Sequence, residues 1–242
     1  MKAPVGLHIQ GSVSIAGSPL IESLDMDIKA GQWSCLLGPS GVGKSTLLYL
    51  IAGLAEHVDF EGSITADDQL PLAGRISYMA QTDLLMPWLS ILDNTVIGSR
   101  LRKETPNTAK AENLLEHLGL GEQMHRTPSQ LSGGQRQRAA LARTLMEERE
   151  IVLLDEPFSA LDAGTRAQMQ ELSSQWLAGR TVLHVTHDPA EAARLGEQIW
   201  LLDREGLREI ETPSAAIARP VDDPETLACQ GQLLRLLREE GS

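Results

Sequence analysis

The chain has 242 residues, 42% of them hydrophobic and 22% charged, a size and composition that suit one large α/β domain, or one domain with an insertion, around a sizeable core. Its formal net charge of −12 argues against nucleic acid as the main partner, because phosphate backbones call for basic patches. No apolar run approaches the ~18–20 residues of a membrane span, and Met1 to Gln10 shows no signal-peptide pattern, so a cytosolic chain whose membrane role runs through a partner is expected. In chain order, Trp33 to Leu37 reads as a strand feeding a glycine-rich loop, and Thr46 to Gly53 as the helix that follows. Ile64 to Ala66 and Ile76 to Met79 read as further strands. Helical spacing marks Ile91 to Arg102 and Ala109 to Leu118, the second with Leu114, Leu115 and Leu118 on one face, and then Arg136 to Glu148. Ile151 to Leu154 and Thr181 to Val185 are almost wholly apolar, as parallel strands covered on both faces are. Ile199 to Asp203 is expected as the last core strand. Pro224 to Glu240 is expected as an amphipathic helix carrying Leu227, Leu233, Leu234, Leu236 and Leu237. Cys35 in an apolar strand and Cys229 in that last helix are expected as free thiols.

Three segments carry chemistry. Gly38-Pro39-Ser40-Gly41-Val42-Gly43-Lys44-Ser45 matches G-x-x-x-x-G-K-[ST] in full, between a strand and a helix. Its glycines let backbone N–H groups converge on an anion, and the helix beginning near Lys44 adds its positive end. Lys44 is expected on the β- and γ-phosphates of a nucleotide, Ser45 on Mg²⁺, and Thr46 near the α-phosphate. Ile151 to Glu156 places two acids just past the end of a buried strand, the edge at which open α/β sheets bind ligands. Asp155 is expected to hold Mg²⁺ through its water shell, and Glu156 to polarise the water that attacks the γ-phosphate. Between these two lies Leu131-Ser132-Gly133-Gly134-Gln135, directly before a helix.

That order of phosphate loop, LSGGQ and twin acids resembles the ATP-binding-cassette (ABC) ATPases, roughly from Leu7 to Gly206. The resemblance implies a P-loop α/β core with a mostly parallel sheet, an N-terminal antiparallel β subdomain and an inserted helical subdomain. The whole chain, 1–242, would be one such domain: a nucleotide-binding core at about 1–85 and 150–212, a helical signature subdomain at 86–149, and a helical tail at 213–242. The cofactors implied are ATP and Mg²⁺. Gln81, after the strand Ile76 to Met79, matches the family's Q-loop glutamine, which senses Mg²⁺ and the attacking water. Leu131, Ser132, Gly133, Gly134 and Gln135 match the signature, which binds the γ-phosphate of ATP held by a second subunit. Ser159, Ala160, Leu161 and Asp162 match the D-loop at the dimer seam. His187, after the strand Thr181 to Val185, matches the switch histidine that contacts the γ-phosphate and orients Glu156. His8, His57, His117, His125 and His184 are read as structural or surface residues.

The chain departs from the family at the aromatic residue that stacks on adenine. The corresponding region is Val13-Ser14-Ile15-Ala16-Gly17, where Ile15 offers apolar contact without a π face. Met79 to Asn94, with Leu84-Leu85-Met86-Pro87-Trp88-Leu89 after Gln81, resembles the importer group for nitrate, taurine, alkanesulfonates and the pyrimidine precursor of thiamine, and is nearest in wording to the last. An apolar loop here reads as a docking surface for a permease, or else as a cap on the domain's own core. The resemblance thus implies a homodimer through a nucleotide sandwich, transmembrane permease subunits at the cytoplasmic face of the inner membrane, and indirectly a solute-binding protein. The alternatives are an exporter ATPase, or a soluble ABC-type switch on ribosomes or DNA; a single cassette and no heptad run disfavour the second.

Overall fold

Two sheets of different kind meet in the computed structural model, which describes residues 3–203 and 205–239. The first is antiparallel, in the order β2-β1-β4, from β1 (Leu7–Ile15), β2 (Ser18–Ile28) and β4 (Val58–Ala66). Alternating burial along β1 and β2 gives it one face toward the core and one toward solvent. The second sheet runs β5-β6-β7-β3-β8-β9, from β3 (Trp33–Leu37), β5 (Ile76–Met79), β6 (Ile151–Asp155), β7 (Thr181–Thr186), β8 (Gln198–Asp203) and β9 (Gly206–Ile210). All its pairings are parallel except β8 with β9. Residues of β3, β6, β7 and β8 are buried throughout, as continuous apolar strands between two layers must be.

Each strand of that sheet divides its side chains between two cores. Ile151 and Leu153 face the antiparallel sheet and the helix α1 (Lys44–Ala52). Val152 and Leu154 face the opposite core, built with α4 (Thr108–His117), α5 (Gly133–Met146), α6 (Ala163–Trp176), α7 (Pro189–Leu195) and α8 (Pro224–Glu239). Cys35 and Cys229 are free and buried. No described helix is long and apolar enough to cross a membrane.

The α/β expectation with a mostly parallel sheet and an N-terminal antiparallel sheet holds, and the boundaries shift. β8 is not the last strand of the sheet, since β9 turns back against it. The helix expected over Ile91 to Arg102 is two short ones, α2 (Ile91–Thr95) and α3 (Ile97–Leu101), meeting at Val96 with φ −102° and ψ 8°. The β-branched run Thr95-Val96-Ile97 followed by Gly98 is poor helix material. α5 starts three residues earlier than expected, because Ser132 caps it: its Oγ accepts the Gln135 N–H at 3.2 Å while Gln135 Oε1 accepts the Ser132 N–H at 2.9 Å. The signature is therefore also a capping box, which satisfies two otherwise orphan donors. Glu240, the last residue of the expected tail helix, lies outside the described residues.

Candidate active site

β3 delivers the phosphate loop at the carboxyl edge of the sheet, and α1 begins at Lys44. Gly43 sits at φ 109°, a backbone state costly for any residue with a Cβ, and a Cβ there would stand 3.1 Å from the Leu20 side chain. Lys44 is buried and its Nζ donates to the carbonyls of Gly38 at 2.8 Å and Pro39 at 2.7 Å. Burial lowers the ammonium below its ordinary value, against the opposing pull of Glu156 and Asp155. Beside the loop lies a cleft of about 580 Å³ lined by Leu20, Ile21, Ser40, Gly41 and Val42 among others. Ile15 is not among the residues lining it. It ends β1 at the rim of a two-residue hairpin turn, Ala16-Gly17, and is 40% exposed.

Asp155 ends β6, Glu156 follows it, and the two are held in different ways. Asp155 is 2% exposed. Burial raises its carboxyl above the usual range, partly offset by the adjacent Ser45 hydroxyl and by the phenol of Tyr78, whose Oη donates to Oδ2 at 3.4 Å. The other oxygen, Oδ1, is buried with no hydrogen-bond partner among the described residues. A buried carboxylate oxygen left free beside a serine hydroxyl is a hard oxygen set of the kind that suits Mg²⁺. Glu156 adopts φ 47°, and its N–H is held by the Val185 carbonyl at 3.0 Å. Its side chain is gripped from both sides. Gln81 Nε2 donates to Oε2 at 3.2 Å, and His187 Nδ1 stands 2.9 Å from Oε1.

His187 is placed by its neighbours. Asp188 caps α7 through Oδ1, accepting the Ala190 N–H at 2.9 Å, and its Oδ2 accepts from Arg166 at 3.0 Å. Beneath them His184 and Thr186 reach the buried Glu191 at 3.3 and 2.8 Å. Burial pushes the Glu191 carboxyl up, but the hydrogen bonds from His184 and Thr186 and the Arg166 charge outweigh it and leave it below the usual range.

The structure thus brings Gly38 to Thr46, Gln81, Asp155, Glu156 and His187 to one edge. The signature turn contacts the Ser159–Asp162 segment. Ala160 and Leu161 lie so close to Gly134 that a Cβ there would be 3.2 Å from the Ala160 carbonyl. Asp162 caps α6, accepting the Thr165 N–H at 3.0 Å, and Leu161 is buried. Ser132 and Gly133 are exposed. Two residues that the motifs do not mark also belong here: Tyr78, whose burial keeps its phenol a neutral donor to Asp155, and Gln137, bonded to the Glu156–Ala160 backbone. Neither carries a signal in a single sequence, since each works on a residue distant along the chain.

The apolar segment after Gln81 divides. Leu85 enters the core, while Leu84 and Trp88 are 60% and 74% exposed. Arg143 of α5 clamps the segment from below, donating to the carbonyls of Leu84 at 2.7 Å and Asp83 at 2.8 Å, and Arg136 donates to Asp83 Oδ2 at 3.0 Å.

Comparison with known proteins shows the family to which the chain belongs. A family model described as ABC transporter matches residues 21–159. An uncharacterized ABC transporter ATP-binding protein of Haemophilus influenzae is 42% identical over 236 residues, covering 95% of this chain and 97% of the relative. The aliphatic sulfonates import ATP-binding protein SsuB 1 of Rhodococcus jostii is 42% identical over 215 residues, covering 87% of this chain and 85% of that one. Among solved structures, the ATP-binding cassette MJ0796, a dimer in a post-hydrolysis state bound to ADP and Pi, is similar with a TM-score of 0.74 and 29% identity, over 87% of this chain and 100% of its own. With more than half of its length matched by the family model, and a relative aligned almost end to end, the chain belongs to the ATP-binding, ATP-hydrolysing subunits of the ABC transporters.

Proposed function

We propose that this chain is the ATPase subunit of a membrane importer for a small polar solute. The observation that carries the reading is the grip of Gln81 and His187 on the two oxygens of Glu156, next to Lys44 and the phosphate loop. ATP lies with its phosphates on Gly38 to Thr46 and its base against apolar side chains, Ile15 at the hairpin rim and Leu20 beside the loop. Glu156 orients and polarises the attacking water, and the reaction depends on positioning and charge stabilisation with little covalent work by the protein. Ser45, Asp155 and Gln81 would hold Mg²⁺, which supplies neutralisation of phosphate charge when bound. Two copies close over two nucleotides, with Leu131 to Gln135 of one facing the phosphate loop of the other and Ser159 to Asp162 at the seam; the dimeric state of the similar MJ0796 cassette supports this. The exposed Leu84 and Trp88 offer an apolar surface to a permease at the cytoplasmic face of the membrane. A separate solute-binding protein would choose the cargo.

Aliphatic sulfonates lead as cargo because relatives in Rhodococcus jostii and Delftia acidovorans carry that name. The pyrimidine precursor of thiamine follows, on the wording of Met79 to Asn94. The test is uptake of a labelled alkanesulfonate and of labelled hydroxymethyl-aminopyrimidine in the native cell, with the intact protein and with Lys44→Ala. Uptake of one solute is expected to fall at least tenfold in the variant, and that solute is the cargo. If both persist with the variant protein present, both assignments fall.

A further inference from the structure

Gln137 lies at the start of the second turn of α5, two residues beyond the signature, and is 6% exposed. A buried primary amide is costly unless its groups are met. Here Nε2 donates to the main-chain carbonyl of Glu156 at 3.0 Å and to Ser159 Oγ at 3.2 Å, and Oε1 accepts the Ala160 N–H at 2.9 Å. Two of those partners, the Glu156 carbonyl and the Ala160 N–H, are main-chain groups of the turn on which the proposed catalytic base hangs. Glu156 stands in the left-handed region at φ 47°, which disfavours a side chain and persists only when the surroundings fix it. On its N–H side the Val185 carbonyl does so; on its carbonyl side the partners are the Ser159 N–H at 3.3 Å, the Ser159 hydroxyl at 3.0 Å and Gln137 at 3.0 Å. Ser159 is itself exposed and on a turn, whereas Gln137 is anchored in a helix. Of the groups that bond the Glu156 carbonyl, Gln137 is therefore the one that ties the peptide aiming the carboxylate at Gln81 and His187 to α5, the others belonging to the turn itself.

We infer that Gln137 is a positioning residue for ATP hydrolysis, holding Glu156 in its left-handed turn and tying that turn to the helix the signature begins. The inference rests on the proposed role of Glu156. In a nucleotide sandwich it has a further consequence. The signature turn and Glu156 of one chain serve different nucleotides, so the Gln137 contact is a mechanical link between the two sites.

The test is steady-state ATP hydrolysis by the full chain carrying Gln137→Ala or Gln137→Met, with Glu156→Gln measured alongside. Methionine keeps the length and packing of the side chain and removes its hydrogen bonds. A misaimed group close to the chemistry costs on the order of a hundredfold. Both variants are therefore expected to lose roughly 10- to 100-fold in kcat, with KM for ATP within about twofold and the melting temperature of the Met variant near that of the parent. A Met variant with parental kcat would make the role one of packing and overturn the proposal. So would a kcat loss matched by a rise in KM and a fall in melting temperature. Normal hydrolysis by Glu156→Gln would remove the base assignment and the proposal with it. A dead Glu156→Gln beside fully active Gln137 variants would remove the proposal alone.

Discussion

Asp155 and Glu156 are neighbours in sequence, yet the fold treats one as part of β6 and the other as the first residue of a strained turn. Burial raises the Asp155 carboxyl, so its ionised form destabilises the fold above the ordinary carboxyl value of 3.8. An uncharged isostere escapes that penalty. Asp155→Asn is expected to melt higher than the parent at pH 7 without nucleotide or Mg²⁺, by roughly 2–4 °C for a gain of about 1 kcal/mol, while losing ATP hydrolysis. The sign follows from the direction of the shift: the gain is full above the raised pKa and fades as pH falls through it toward 3.8. Calorimetry across that range checks it, and an Asn variant that melts lower at pH 7 would show that the ionised form is stabilised in place. The residues of this site that could be read from sequence are those fixed by local spacing. Lys44 and Ser45 follow their glycines, Asp155 and Glu156 end an apolar run, and His187 follows another. Gln137 and Tyr78 could not be read, because their partners lie 19 and 77 residues away and their neighbours give no pattern.

Among the elements, α5 makes the most connections between functional segments. Its first turn is the signature, Gln137 holds the Glu156 turn, and Arg136 and Arg143 hold the loop between Gln81 and Trp88. Arg143 is half-buried and gives two charged hydrogen bonds to backbone carbonyls of that loop, a fork that lysine cannot copy. Hydrogen bonds to a charged group contribute about 1.5–3 kcal/mol. Arg143→Ala is accordingly expected to speed amide hydrogen exchange over residues 82–89 by roughly tenfold or more, with Arg143→Lys restoring little and β6 unchanged. Unaltered exchange in that segment would mean that Leu85, seated in the core, holds the loop by itself. The elements legible in sequence were those marked by their own side chains: the mostly apolar, fully buried β3, β6 and β7, and α4 with its leucine face. β9 escaped because Gly206–Ile210 is a half-exposed edge strand defined by its pairing with β8, and α6 because Ala163–Trp176 is polar over most of its surface.

The phosphate loop and the exposed Ser132 and Gly133 are separate surfaces of the chain, the ones the proposed sandwich would bring together between two copies, while the molecule carries a net charge of −12. Two such chains repel, and the phosphates of bound ATP add to the repulsion, so in the proposed sandwich closure would come from short-range contacts of the γ-phosphate with Ser132 to Gln135. On that proposal hydrolysis would remove those contacts, so a chain that binds ATP without cleaving it would accumulate closed. Glu156→Gln with ATP and Mg²⁺ is therefore expected to run as a dimer on a sizing column, while the parent under the same conditions and Glu156→Gln with Lys44→Ala run as monomers. The charge adds a second sign. The Debye length shortens from about 30 Å at 0.01 M salt to about 8 Å at 0.15 M, which screens the repulsion between chains far more than the buried phosphate contacts between them. Raising salt over that range should then shift Glu156→Gln toward dimer. A dimer that dissociates as salt rises would place complementary charges, rather than the nucleotide, at the heart of the seam, and a monomer at every salt would remove the sandwich.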